Sequence, residues 1–184
     1  MGQIVEPSKA KLIAALLWNE AVNISEVYAR LEKEWGPIDA YSAVYDFIHT
    51  GYYKDEFGER LKKHFVSFER LIDINTIPDI KILGNELENG FHTGQNRAVN
   101  IDPGYIANAK LVMPTTKNLP HRVYIGKKIY ADLQLIYKKP TFHTILWTFA
   151  DYKEPFNLEF FNKVRDRYME QLSQEKKNGR SEPE

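Results

Sequence analysis

The sequence contains no cysteine among its 184 residues. This absence excludes disulfide bonds, a thiolate nucleophile and a metal site built from thiolates. The five histidines are scattered and show no spacing typical of metal ligands, so we expect no metal site.

Long apolar runs are also missing. No segment approaches the roughly 18 consecutive apolar residues that span a membrane, and the first residues lack the basic-then-apolar pattern of a secretory signal. We therefore expect a cytoplasmic protein with no membrane partner. Hydrophobic residues still make up 43% of the chain, which is ample for one packed domain over residues 1–173. Residues 174–184 contain no hydrophobic residue, and we expect a disordered tail there.

The order of the apolar patterns predicts an α+β fold, a mixed β-sheet with packed helices. Residues 11–18 form a nearly continuous apolar run, typical of a strand covered on both faces. Asn23 and Glu26 have the spacing of a capping box that begins a helix. The first half is compatible with a ferredoxin-like arrangement, and residues 105–113 fit either a strand or a helix. Further strands are predicted at 41–48, 65–72, 97–101, 121–125, 128–137 and 144–149, and further helices begin at 76 and 156, the last being C-terminal.

Charge is balanced overall but uneven along the chain. There are 25 acidic and 25 basic residues, yet residues 107–150 hold seven lysines or arginines against the single acid Asp132. A local basic excess is what a surface that binds phosphate or another anion requires. The alternative is a solvated sheet face whose lysines protect strand edges from pairing.

Standard nucleotide-binding motifs are missing as well. A phosphate loop needs an early glycine and then Gly-Lys-Ser/Thr, whereas Gly126 is followed by two lysines and lacks that earlier glycine. Three histidines are each followed directly by threonine, but a His-x-Thr phosphoesterase motif needs alternate residues that share one strand face. We expect neither a conventional GTPase nor such a phosphoesterase.

A hairpin provides the candidate catalytic pair. Gly-X is a preferred two-residue turn, so we predict that Gly126 and Lys127 form the turn. That register places His121 directly opposite Asp132, where a carboxylate can orient an imidazole and raise its basicity. The alternative is an ordinary cross-strand pair with a structural role.

Polar residues before and within this hairpin form the candidate ligand-binding set. Asn100 and Asp102 share a strand face, although Asp102 can equally begin a turn or cap a helix. Arg122 is expected on the core side of its strand, with Asp46 or Glu69 as partner. Amines, a guanidinium, hydroxyls and a carboxylate together suit an anionic ligand. The full set is Asn100, Asp102, Tyr105, Lys110, Thr116, Lys117 and Arg122.

From about residue 11 to 152 the chain resembles the uncharacterised bacterial and archaeal family called domain of unknown function 4416. The resemblance is carried by FERLI at 68–72, NELE at 85–88, VNIDPGY at 99–105, TTK at 115–117, HR at 121–122, IYA at 129–131, WT at 147–148 and DY at 151–152. This chain has Asp132 where the family more often carries Glu, and Phe149 where it carries Tyr. The resemblance implies a prokaryotic protein and a domain boundary, and it implies no mechanism.

Three functions remain open on these grounds. The leading one is a small-molecule-binding domain, with or without enzymatic activity, for an anionic or nucleotide-like ligand. The second is an RNA-binding module, in which tyrosines stack on bases and lysines contact phosphates. The third is a protein–protein interaction domain. A concave polar pocket would favour the first, a flat basic face the second and a large apolar patch the third. The sequence indicates no particular cofactor.

Overall fold

A nine-stranded antiparallel sheet is the largest element of the computed structural model, which describes residues 2–48, 60–93 and 96–178. Strand β1 (Ala10–Asn19) lies inside the sheet and is buried along nearly its whole length. Its continuous apolar sequence suits a strand covered on both faces. The other strands of this sheet are β2 (Ile38–Tyr41), β3 (Tyr45–Asp46), β4 (Leu61–Ile72), β7 (Val99–Ala107), β8 (Lys110–Thr115), β9 (Val123–Gly126), β10 (Ile129–Lys138) and β11 (Thr141–Thr144), while β5 (His92–Thr93) and β6 (Asn96–Arg97) pair separately.

The ferredoxin-like arrangement expected for the first half is confirmed. Helix α1 (Ile24–Trp35) connects β1 to β2, and helix α2 (Ile77–Glu88) connects β4 to β7. The four strands lie side by side in the order β7, β1, β4, β2, which is the split βαβ pattern. β1 and β2 run in the same direction, but β4 lies between them. Every pairing in the described residues is antiparallel, where the sequence had predicted a mixed sheet.

Helices α1 and α2 cover one face of the sheet. The predicted cap of α1 is present: Asn23 Oδ1 accepts from the Ser25 N–H at 3.2 Å, and Asn23 Nδ2 donates to Glu26 Oε1 at 3.1 Å. The core on this face joins side chains of both helices to alternate residues of the strands, for example Leu31 of α1, Leu16 of β1 and Ile101 of β7. Their burial is the main favourable contribution to the fold on this side.

Helix α3 (Pro155–Asn178) covers the opposite face. Phe161 and Val164 pack there against Ile13 of β1. The helix continues through Asn178, so residues 174–178 of the predicted tail are helical, and residues 179–184 lie outside the described part of the chain. The extension is supported by an ion pair between Lys9 and Glu175 at 2.8 Å and by the low cost of continuing a helix that has already formed.

Two segments that the sequence left open or misassigned are now assigned. Residues 105–113 form the hairpin of β7 and β8, with Ala107 opposite Lys110. The strand predicted over 41–48 is replaced by two short strands, β2 and β3, which both pair with β4. No helix in the described residues is long and apolar enough to cross a membrane.

Strands β7 and β8 part shortly after this hairpin. Their pairing runs from Ala107 and Lys110 to Tyr105 and Val112 and then stops. If the same register continued for two more residues, Pro103 would lie opposite Pro114. Neither proline has an N–H to donate to the ladder, so the two strands cannot be joined there by hydrogen bonds. Both strands keep their outer partners, β1 and β10, so the separation opens a gap within the sheet.

Gly104 lies at the point where the strands begin to part. A Cβ added to Gly104 would lie 2.8 Å from the backbone oxygen of Val112 and against the Met113 sulfur. The methionine can move, whereas the backbone oxygen of a buried strand cannot. The strands therefore approach this closely only because residue 104 has no side chain.

We predict that Gly104→Ala destabilises the protein by about 1–3 kcal/mol, because the added methyl overpacks a close strand contact. The measurement is urea unfolding followed by circular dichroism. Gly2→Ala is the control, since a Cβ at Gly2 would meet nothing within 4 Å. Equal stability of Gly104→Ala and the wild type would show that β7 and β8 can separate at no cost.

Candidate functional site

A polar cavity of about 730 Å³ lies at the gap between β7 and β8, and residues of both strands line it. Helix α2 lines it on one side and the segment 149–152 on the other. Nine of its lining side chains are basic or acidic, and the two charges are nearly balanced. The basic ones are Lys63, Lys81, Arg97, Lys117 and Arg122, and the acidic ones are Glu88, Asp102, Asp132 and Asp151.

Asp102 lies on β7 where the strands part. Lys81 Nζ of α2 donates to its Oδ1 at 2.6 Å, and Asn100 Nδ2 donates to its Oδ2 at 2.7 Å. Burial alone would raise the pKa of Asp102, but Lys81 and Asn100 together hold it below its ordinary value. The carboxylate is therefore charged at neutral pH, and its side chain retains 39% of its exposure, towards the cavity. The capping role that the sequence allowed for Asp102 is not used.

Glu88, at the end of α2, replaces the missing strand partner of β7. Its Oε1 accepts the N–H of Ile101 at 2.6 Å, and its Oε2 pairs with Arg97. The Glu88 side chain is only 2% exposed. Burial raises the pKa of Glu88 to about 7, although the Ile101 N–H and Arg97 act in the opposite direction. This carboxyl group can therefore change its charge near neutral pH.

The hairpin of β9 and β10 has a different register from the predicted one. Lys127 and Lys128 form the turn, both with positive φ, and Val123 lies opposite Ala131. The turn is flanked by Gly126 and Ile129 instead of Ile125 and Lys128, and a bulge follows between Ile129 and Tyr130. Beyond the bulge the register differs from the predicted one by one residue. Arg122 therefore reaches Asp132, and its Nε donates to Oδ2 at 2.7 Å.

His121 is displaced by the same shift. Its Nε2 lies 3.7 Å from Asp132 Oδ2, beyond hydrogen-bond distance, and its ring stacks on Trp147 with centroids 5.0 Å apart. The other oxygen of Asp132 accepts from Gln134 Nε2 at 2.7 Å. Asp132 is thus held by Arg122 and Gln134, and the partners Asp46 and Glu69 that we expected for Arg122 are wrong.

Asp151 provides the fourth carboxylate of the cavity. Its Oδ2 pairs with Lys63 Nζ at 2.6 Å and accepts from the Tyr45 hydroxyl at 3.0 Å. Burial, and then the neighbouring Asp151 charge, raises the pKa of Tyr45, so its hydroxyl keeps its proton and acts as a donor. The Lys63 ammonium also lies 4.9 Å from the centre of the Phe47 ring. Each carboxylate at the cavity wall therefore has a cation beside it.

The structure brings together most of the predicted site residues but not all of them. Tyr105 is buried among the side chains under α1 and α2, and Lys110 is exposed at the tip of the β7–β8 hairpin. His121 is near the cavity but is not part of its lining. The predicted residues that line the cavity are Asn100, Asp102, Thr116, Lys117, Arg122 and Asp132.

Sequence reasoning missed the contribution of α2. The buried positions of this helix include Ile77, Lys81, Gly84 and Glu88, which follow one another at helical spacing. Two charged residues on the inner face of a helix are unusual, because buried charges require partners. That pattern was the signal that α2 faces a polar site. In the described part of the chain, no group of three histidines, aspartates or glutamates is arranged to hold a metal ion.

We predict that the free energy of unfolding decreases as the pH rises, and that Glu88 causes part of this decrease. The folded protein holds this proton to about pH 7, whereas the ordinary pKa is 4.5. The neutral form therefore stabilises the fold at low pH, and that contribution is lost as the pH rises from about 4.5 to about 7. The stability of the wild type relative to Glu88→Gln should fall by about 2–4 kcal/mol across this range.

Urea unfolding of both proteins at several pH values measures this difference. Glu86→Gln is the matched control, because Glu86 is on the exposed side of the same helix. It should leave the pH dependence of the wild type unchanged. A wild type that instead gains stability relative to Glu88→Gln as the pH rises would mean that Arg97 keeps Glu88 charged.

The family assignment rests on most of the chain. The family model described as Domain of unknown function (DUF4416) matches residues 8–168. No curated protein and no solved structure matches the chain significantly. The matched range includes β1, helices α1 and α2, and all of the cavity residues named above. The chain therefore belongs to the family Domain of unknown function (DUF4416), as its sequence motifs had indicated.

Proposed function

We propose that this protein binds a small polar molecule with an anionic group in the cavity between β7 and β8. The observation that carries the proposal is the cavity itself, a concave space of about 730 Å³ with nine acidic or basic side chains at its wall. Binding sites for small molecules are typically concave and fall in this range of size. Removing so many charged groups from water reduces the free energy of unfolding, so stability by itself does not explain why they are there. Their presence is consistent with a binding role.

The cations of the cavity are held in place before a ligand arrives. Lys81 is fixed by Asp102, and Arg122 is fixed by Asp132 and by the backbone oxygen of Lys117, to which its NH1 donates at 3.0 Å. Cations that are already oriented lose little side-chain entropy when they bind an anion. Lysine and arginine also have several N–H donors each, so a carboxylate partner does not exhaust them.

The same features make the other two functions weaker proposals. An RNA-binding module would place its cations and aromatic rings on an open face along which a strand can lie. Here the basic side chains converge inside a cavity, and their charges are offset by four carboxylates. A protein-interaction domain would bury an apolar surface, whereas this cavity is rich in charged groups.

We predict that adenosine 5′-monophosphate (AMP) binds and that adenosine, which lacks the anionic group, binds at least tenfold more weakly. Isothermal titration calorimetry measures both affinities. Arg122→Gln and Lys117→Gln should each weaken the binding of AMP by roughly tenfold, since each removes one cation from the wall. Lys117 is exposed, so its variant is expected to fold even if Arg122→Gln does not.

Lys138→Gln is the control for charge, because Lys138 is exposed and does not line the cavity. It should leave the affinity for AMP within about twofold of the wild type. Equal binding of AMP and adenosine, or an equal effect of Lys138→Gln and Lys117→Gln, would contradict an anion site in the cavity. Native mass spectrometry of the purified protein provides an independent check for retained small molecules.

A further inference from the structure

Four charged side chains meet at the α2 end of the cavity. Two are carboxylates, Glu88 and Asp102, and two are cations, Lys81 and Arg97, each paired with one of the carboxylates. The charges of this cluster are therefore balanced when the cavity holds no anion. An anion that binds beside Lys81 or Arg97 adds a third negative charge to a largely buried cluster that contains only two positive ones. Such an excess is unfavourable in a buried place unless one carboxylate becomes neutral.

We propose that this end of the cavity takes up a proton on Glu88 whenever it binds an anionic group. The inference rests on the proposed function, because it concerns the same ligand and the same cavity. It also adds a property to that function: the anionic group and the proton bind together, so each increases the affinity for the other. A ligand that is cationic at this point would instead release a proton.

The geometry selects Glu88 over Asp102 as the group that becomes neutral. Asp102 accepts two side-chain hydrogen bonds, from Lys81 and Asn100, and is 39% exposed. Glu88 is 2% exposed and has one cationic partner. Its Oε1 accepts from the Ile101 N–H, so a proton on Oε2 leaves that hydrogen bond intact and weakens only the ion pair with Arg97, which can then pair with the bound anion.

The protonation properties of the two carboxyl groups agree with this choice. Burial raises the pKa of Glu88 to about 7, whereas Lys81 and Asn100 hold the pKa of Asp102 below its ordinary value. The charged groups that face Glu88 are Lys81 of its own helix, Arg97 of β6 and Asp102 of β7. Asp132 and Asp151 line other parts of the cavity, where Arg122 and Lys63 hold them as ion pairs.

The experiment is calorimetric titration with AMP at pH 8, repeated in two buffers of different ionisation enthalpy. The difference between the two measured heats gives the number of protons taken up per AMP bound. At pH 8 the phosphate of AMP is almost fully ionised, because its second pKa is about 6. Any proton taken up on binding therefore goes to the protein.

The wild type should take up between about half a proton and one proton per AMP bound at pH 8, and Glu88→Gln close to none. The affinity of the wild type should also fall by up to roughly tenfold per pH unit above pH 7, whereas the affinity of Glu88→Gln changes little. Glu86→Gln, which alters an exposed carboxylate of the same helix, should behave like the wild type.

The possible failures separate the two proposals. AMP binding by the wild type without proton uptake, or with uptake that Glu88→Gln retains, overturns the proton-coupled mechanism and leaves the binding function standing. No binding of AMP by the wild type overturns both. If Glu88→Gln does not fold, the wild type still decides the matter, since proton release or no exchange at pH 8 contradicts the proposal.

Discussion

Two prolines at the same register position shape this protein. Pro103 of β7 and Pro114 of β8 would be neighbours in a continuous ladder, and neither can donate a hydrogen bond to it. The strands part at that point, yet β1 and β10 hold them from outside. A sheet that is closed by hydrogen bonds elsewhere thus contains an internal gap. The cavity, the polar wall of α2 and the buried carboxylate of Glu88 all depend on this separation.

The gap leaves a strand edge inside the protein, and its polar groups must be satisfied there. Glu88 meets that need by accepting the Ile101 N–H, as a neighbouring strand would have done. A carboxylate brought so far inside requires a cation, which Arg97 provides. The contacts that satisfy the unpaired edge of β7 are therefore also the contacts that form this part of the candidate site.

The sequence predicted those residues of the candidate site that lie close to one another along the chain, and it missed those that come from distant segments. Asn100, Asp102, Lys117 and Arg122 were identified because a polar, basic stretch surrounds them. Lys81 was not, since it reaches Asp102 from a helix that comes earlier in the chain. The hairpin register was wrong by one residue. Local preference favours a turn at Gly126–Lys127, whereas the chain turns at Lys127–Lys128 with positive φ at both lysines, so turn preference alone does not decide this register.

The sequence by itself determined the α+β class, the apolar strand β1, the capped helix α1 and the membership of a family. The first three features follow from the local spacing of apolar and capping residues, and the family follows from the sequence motifs that the chain shares with it. Only the tertiary structure decided which charges meet, because ion pairs such as Lys81–Asp102 join distant elements. It also decided that two prolines 11 positions apart oppose each other, since that depends on where β7 turns into β8. Strand register and burial are properties of the packed sheet, and they decide which polar side chains lie together in the cavity.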